Sequence, residues 1–260
     1  MKQRLPTAVL LDLDDTILND SGGVERCWTE ACFAHKSELG DIDPAVLRLA
    51  IAKNQKWFWA DPERHRAGRL DLHAARREIV RMSLVEIGDH HPALPGKIAE
   101  HYGHERDAAI QPLPQAIATV QWLRERGCRL ALLTNGSTIA QRSKISRFGL
   151  TDLFDAILIE GEAGYGKPDP RIYAQALQAL DVEAGDAWMV GDNLEWDVAQ
   201  PQKMGVFAIW VDAQEAGLPE GSTVRPDRVV RALSELRTSM EPPMAAENTQ
   251  SATEAHGKKR

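Results

Sequence analysis

The sequence predicts an α/β fold, a doubly wound parallel sheet with an α-helical bundle inserted near its start. Three observations carry this. The run Thr7 to Leu11 is short, aliphatic or β-branched and follows Pro6, the pattern of a parallel strand buried on both faces. From Pro112 onward, similar short runs alternate with helical-period segments, as in a parallel sheet whose strands are joined by crossover helices. Between them, Asn19 to Ile110 shows apolar positions at helical spacing and few β-branched runs.

Taken in order, the first strand ends at Leu11, and helices are expected at about 23–37, 44–60, 72–87 and 94–109. Breaks are expected near Gly40, Gly68 and His91-Pro92. A helix over 115–126 then leads into a strand over 128–133 that ends at Thr134-Asn135-Gly136-Ser137. There follow a helix over 139–148, a strand over 156–160, a helix over 171–180, a strand over 187–190, a helix near 198–204 and a strand over 206–211. Residues 229–236 read equally as a last short strand or helix. From Met240 to Arg260 large apolar residues almost vanish among Pro, Ala, Glu, Ser, Thr and Lys, the composition of a disordered tail. The expected divisions are 1–18 with 111–238 for the sheet-containing core, 19–110 for the helical insertion, and 239–260 for the tail.

Composition narrows the function. The 260 residues are 43% hydrophobic and 27% charged, ordinary for a globular protein with a sizeable core, and no stretch approaches the roughly 20 apolar residues of a membrane span. Lys2 and Arg4 before an apolar run mimic a signal peptide, but Asp12 interrupts the run and no cleavage pattern follows, so a cytoplasmic location is expected. Cys27, Cys32 and Cys128 have neither a paired nor a metal-ligand spacing and read as reduced packing residues. A net charge of −7 argues against a nucleic-acid backbone as partner.

Chemistry gathers at the strand ends, where open α/β sheets bind ligands. Asp12 and Asp14, one residue apart after the first strand, suit covalent phosphoryl transfer; a solvated acidic turn is the competing reading. Thr134 to Ser137 offers a hydroxyl and backbone N–H groups where a helix begins, either an anion site or an ordinary helix cap. Lys167 sits in Gly164-Tyr165-Gly166-Lys167-Pro168-Asp169-Pro170, a loop able to hold an ammonium group in one place against phosphate and carboxylate charge. Asp192 and Asp197 follow an apolar strand and suit Mg²⁺, which takes oxygen ligands and keeps waters; Asp197 is also a candidate helix N-cap and partner of Lys167.

Asp-Leu-Asp-Asp-Thr at 12–16, Thr-Asn-Gly at 134–136, Gly-Lys-Pro at 166–168 and Gly-Asp-Asn-Leu-Glu-Trp-Asp at 191–197 resemble the four motifs of the haloacid dehalogenase-like hydrolase superfamily. The resemblance spans about residues 7–212, and the helical insertion is similar to the cap of its phosphoglycolate-phosphatase-like branch. It implies a Rossmann-like core, Asp12 as a nucleophile that forms an aspartyl-phosphate, and Asp14 as the acid and base. It further implies phosphate binding by Thr134, Asn135 and Lys167, and Mg²⁺ held by Asp12, the Asp14 carbonyl oxygen and Asp192. Asp197 would support Lys167 or the metal shell. Asn193 stands where relatives often carry Ser, so its contact with ligand is left open.

The expected activity is therefore Mg²⁺-dependent hydrolysis of a small organic phosphate monoester. Dehalogenation is the less favoured alternative, because halide leaves unassisted and the dehalogenase motif lacks the second aspartate that Asp14 supplies. Phosphomutase or other phosphotransfer chemistry, and a catalytically silent binding module, are the remaining alternatives. Asn19 to Glu25, with Gly22-Gly23, is the implied cap hinge. In the cap, Trp57, Phe58 and Trp59 precede Arg64, His65, Arg66 and Arg69; Trp57, Arg64 and Arg66 are the candidate contacts to the leaving group, against the reading that aromatics pack inside and arginines face solvent. Trp196 reads as a packing residue. The expected partner is a small phosphorylated metabolite, with no nucleic acid and no membrane, and the chain is expected to be a monomer or homodimer.

Overall fold

The computed structural model describes residues 5–238; the predicted tail lies outside the described residues. β1 (Ala8–Leu11) is wholly buried. After a turn comes the two-residue β2 (Leu18–Asn19), then the bundle of α1 (Val24–Ala34), α2 (Pro44–Ala60), α3 (Pro62–Leu70), α4 (Leu72–Glu86) and α5 (Leu94–Ala109). The chain returns through β3 (Gln111–Pro112) and α6 (Ala116–Glu125) into β4 (Arg129–Thr134), α7 (Thr138–Arg147), β5 (Ala156–Ile159) and the short α8 (Glu160–Ala163). It continues through α9 (Pro170–Leu180), β6 (Ala187–Gly191), a π-helical segment at Leu194–Ala199, α10 (Gln200–Lys203), β7 (Phe207–Val211), β8 (Arg228–Val230) and α11 (Glu235–Thr238). No described helix is long and apolar enough to cross a membrane.

The main sheet has six parallel strands in the order β5-β4-β1-β6-β7-β8, so β1 is central and the strand order reverses beside it. Strand alternation splits the core in two. Val9, Leu11, Leu130 and Leu132 pack toward α6 residues such as Val120 and Leu123, while Ala8, Leu10, Ala131 and Leu133 pack toward Ile172, Tyr173 and Ala176 of α9. Both faces are covered, which is why β1 reads as an unbroken apolar run.

The bundle has its own core, around Trp28, Leu47, Ile51, Ile79, Leu84 and Ile98. It contains five helices where the sequence suggests four. The extra one, α3, is set off by Asp61, whose carboxylate caps it at Arg64 N–H (2.8 Å), and by Pro62 in its first turn. Gly68 lies inside α3 instead of breaking the chain. A Cβ there would meet the Phe58 ring at 2.7 Å, so glycine lets α3 close onto the end of α2. Asp43 and Asp71 cap α2 and α4 in the same way as Asp61 caps α3.

Residues 229–236 resolve into both of the expected alternatives, the end of β8 and the start of α11. Strands β2 and β3, too short for any periodicity, pair antiparallel, Leu18 with Pro112 and Asn19 with Gln111, so the segments entering and leaving the bundle lie side by side. The three cysteines are buried free thiols.

Leu10, fully buried on the central strand, should lose about 2–5 kcal/mol of stability on Leu10→Ala. Leu49, 72% exposed, should change by no more than about 0.5 kcal/mol on Leu49→Ala. Urea unfolding of the two variants checks this.

Candidate active site

Asp12 still belongs to the sheet, its N–H donating to the Val190 carbonyl of β6 (3.0 Å). The chain then folds back sharply. The N–H groups of Ile17 and Leu18 both donate to the Leu13 carbonyl (2.9 Å each), and Asp15 takes a left-handed φ of 57°. A turn, not strand alternation, therefore brings Asp14 around beside Asp12.

The Asp12 carboxylate is 6% exposed, accepting from Thr16 Oγ1 (3.3 Å) and from Lys167 Nζ (2.6 Å). The same ammonium donates to Asp197 Oδ1 at 2.6 Å. Lys167 reaches this position because Asn135 clamps its backbone: Asn135 Nδ2 donates to the Lys167 carbonyl (2.7 Å), and Lys167 N–H donates to Asn135 Oδ1 (2.8 Å). Asp197 closes in because residue 191 is glycine, where a Cβ would sit 2.3 Å from the Asp197 carboxylate. Its other oxygen accepts the Asn193 N–H at 3.1 Å. Asn193, not Asp197, caps the following π-helical segment, through Glu195 and Trp196 N–H.

Asp14 is held by two residues of α7 that the motifs did not single out. Lys144 Nζ donates to Asp14 Oδ1 (2.7 Å) and Gln141 Nε2 to Asp14 Oδ2 (2.8 Å). Lys144 also reaches Asp20 (3.0 Å), which pairs in turn with Arg106 of α5 (3.4 Å). The signal was present in the sequence: Gln141 and Lys144 are spaced i, i+3 on the helix after the Thr-Asn-Gly segment, so both face the same side.

Burial dominates the electrostatics. It pushes Asp12 up to about 6 against the pull of Lys167, and Asp14 up to about 6 against that of Lys144. Asp192, raised by burial and then by Asp12 and Asp197, reaches about 8. For Lys167, burial opposes the charge, but the two carboxylates outweigh it and the pKa is raised.

Asp12, Asp192 and Asp197 each place a carboxylate oxygen within 4.8 Å of the others. Ionised together, the three carboxylates would carry two negative charges beyond the single Lys167 ammonium. Both Asp197 oxygens accept close hydrogen bonds, Asp12 has one close bond from Lys167 and a longer one from Thr16, and among the described residues no hydrogen-bond donor reaches the Asp192 carboxylate. A hard, oxygen-rich donor set with a double negative excess fits a divalent cation such as Mg²⁺, at the Asp12–Asp192 side.

These groups open into a cavity of about 570 Å³ between sheet and bundle, a size suited to a metabolite. Its far wall carries Trp59, His65, Arg69, Arg76 and Arg106 from the bundle. Three of these, Trp59, His65 and Arg69, come from the aromatic and basic stretch noted in the sequence; Trp57, Arg64 and Arg66 are not on the wall. Arg64 stacks its guanidinium 3.7 Å over the Trp57 ring and donates to the Trp57 carbonyl (2.9 Å), closing the pair on itself at the surface. Arg66 instead reaches the Gly164 carbonyl at 3.4 Å. Arg69 makes a double hydrogen bond to buried Glu160 (2.6 and 2.7 Å), fastening α3 to the core.

Two further placements differ from expectation. Thr134 lies behind the wall, its hydroxyl accepting from Gln141, and both ends of the Asn135 amide are committed to Lys167, so the wall at this strand end is formed by Asn135, Gly136 and Ser137. Trp196, expected to be a packing residue, lines the cavity beside His65.

Comparison with known proteins agrees with this arrangement. A family model described as haloacid dehalogenase-like hydrolase matches residues 6–205. The chain is 37% identical over 247 residues to a phosphoserine phosphatase of Thermus thermophilus, covering 88% of this chain and 96% of the relative. Among solved structures it is similar to a 2-haloacid dehalogenase of Pseudomonas syringae (27% identity, TM-score 0.60, 91% of this chain and 98% of that one). It is also similar to the putative HAD-hydrolase YfnB of Bacillus subtilis (19% identity, TM-score 0.70, 92% and 100%).

The raised Asp192 pKa fixes a pH signature. A carboxyl that binds its proton more tightly when folded contributes stability below its unfolded pKa, and that contribution is lost as pH rises through the folded value. Metal-free protein should therefore melt at progressively lower temperature from about pH 6 to about pH 8, and the stabilisation by added Mg²⁺ should grow over the same range. Asp192→Asn should flatten both trends in thermal melts run with EDTA or Mg²⁺.

Proposed function

The chain belongs to the haloacid dehalogenase-like hydrolases and is a phosphatase among them, and from that premise we propose Mg²⁺-dependent hydrolysis of a small phosphorylated metabolite through an aspartyl-phosphate on Asp12. The observation that carries this reading is the buried Asp12 carboxylate, hydrogen-bonded to Lys167 at 2.6 Å and opening into the cavity beside Asp14. Its support by relatives comes from the Thermus phosphatase, whose substrate is itself a small phosphate ester.

In the first step Asp12 attacks phosphorus while Asp14 gives a proton to the departing alkoxide. In the second, Asp14 takes a proton from the water that hydrolyses the aspartyl-phosphate. A pKa near 6 lets Asp14 hold a proton close to neutrality and release it again. Lys144 and Gln141 fix its direction. Lys167 holds the nucleophile in place and offsets phosphoryl charge, Asp197 orients that ammonium, and Asn135, Gly136 and Ser137 wall the space beside it. Asp12, Asp192 and the Asp14 carbonyl would hold Mg²⁺, which when bound would supply positive charge against that of the transferring phosphoryl group.

Residues 19–110 serve as the cap on a core of 1–18 and 111–238, hinging where β2 and β3 pair. The cap excludes bulk water over the site. Dehalogenation, the activity named for one structural relative, is disfavoured by the two α7 side chains that hold Asp14: an acid so positioned assists an alkoxide and has no task when halide leaves.

Phosphate release from a panel of small esters should require Mg²⁺ and be abolished by EDTA. Asp12→Asn should abolish turnover, and Asp14→Asn should lower kcat by roughly 10²- to 10⁴-fold. Phosphate release retained by Asp12→Asn would overturn the covalent assignment.

A further inference from the structure

The inward face of α4 carries a misfit. Leu72, Ala75, Ile79, Val80 and Ser83 point into the bundle or cavity, and Arg76 lies on the same stripe, half-buried, with Leu72 and Ile79 beside it on the cavity wall. Arginine on an inward face normally meets an acid. Here it meets none: among the described residues, no hydrogen bond or ion pair reaches its guanidinium. Asp20 and Asp107 act on it only from a distance. Its contact is with the Tyr102 ring, 5.1 Å from the guanidinium carbon, and Tyr102 is stacked in turn on buried Trp28 at 3.6 Å. The two rings form a rigid shelf that holds a five-donor fork toward the cavity.

The other cations on the wall are occupied. Arg69 is held by Glu160, Lys144 by Asp14 and Asp20, and Arg106 by Asp20 and the Gly22 carbonyl (2.9 Å). Arg147 is exposed at the rim and donates to the Asp107 carbonyl. One inward positive charge is thus left unmatched on the side formed by the bundle, opposite the phosphoryl-transfer groups.

We propose that Arg76 receives a carboxylate on the leaving group, so that the substrate is a phosphate monoester whose alcohol portion carries a carboxylate. This rests on the phosphatase reading and deepens it. A carboxylate matches the guanidinium fork with two parallel hydrogen bonds and balances one charge with one charge. A second phosphate would bring a further negative charge toward Asp20 and Asp107, which share this wall.

The test compares kcat/KM for carboxymethyl phosphate, 2-hydroxyethyl phosphate and ethylene glycol bisphosphate in the full chain with Mg²⁺. The wild-type protein should favour the carboxylate ester, and Arg76→Gln should reduce the ratio of carboxylate to hydroxyl ester by roughly 10- to 100-fold. Arg76→Lys, which keeps the charge and the stem, should recover part of that ratio. A wild-type protein without preference, an unchanged ratio in Arg76→Gln, or an Arg76-dependent preference for the bisphosphate overturns the proposal. Asp12-dependent turnover of the hydroxyl ester establishes the phosphatase reading separately. If no ester is hydrolysed, that reading falls, and calorimetric binding of carboxymethylphosphonate against ethylphosphonate to wild type and Arg76→Gln still decides the role of Arg76.

Discussion

One buried ammonium organises the molecule. Lys167 is 1% exposed and bonded to two carboxylates that come from different strand ends, Asp12 after β1 and Asp197 beyond β6. Without it, two acids would share a dry space, and one would have to take up a proton. With it, the Asp12 carboxylate is held in one direction and the ends of β1 and β6 are tied together. The surrounding devices serve this contact: Asn135 clamps the lysine backbone, and glycine at 191 admits Asp197. The balance is incomplete because Asp192 adds a third carboxylate, raised to about 8 by its surroundings. Once Asp192 gives up its proton, the negative charge it adds suits a divalent cation and a phosphate together better than either alone.

A second charged chain links the site to its cover. Asp14 meets Lys144, Lys144 meets Asp20, and Asp20 meets Arg106 of α5, which also donates to the Gly22 carbonyl at the base of the bundle. On the opposite side Arg69 and buried Glu160 fasten α3 to the core, and Glu160 further accepts the Gly136 N–H (3.1 Å) in the turn after β4. The polar groups that shape the site are thus the same ones that seat the bundle over it. Removing the Arg69 contact would leave Glu160 buried without its cation, so the seating of the bundle and the assembly of the site are energetically coupled.

Much of this was legible in the sequence, and the exceptions have physical causes. Strands such as β1, β4 and β6 carry continuous apolar runs because both faces are covered, and each delivers its polar residues at one edge of the sheet. Asp12, Lys167 and Asp197 could therefore be grouped from strand ends alone. α3 was hidden because Gly68 reads as a breaker in one dimension but marks a close helix contact in three. β2 and β3 are pairs of residues without periodicity, visible only once paired. An aromatic and basic stretch does not say which turn faces inward: Arg64 closes onto Trp57, whereas Arg69, further along the same helix, reaches the core. Thr134 and Asn135 carry the right chemistry but spend their side chains on Gln141 and Lys167.

The most direct test of the account is chemical trapping of the intermediate. Asp14→Asn protein, mixed with Mg²⁺ and 4-nitrophenyl phosphate, whose leaving group departs without a proton, and quenched in acid, should carry a phosphoryl group on the peptide containing Asp12, labile to hydroxylamine as an acyl phosphate is. A phosphoryl group on any other residue, or phosphate release in a burst with Asp12 never labelled, would contradict the role given to Asp12 and to the lysine that holds it.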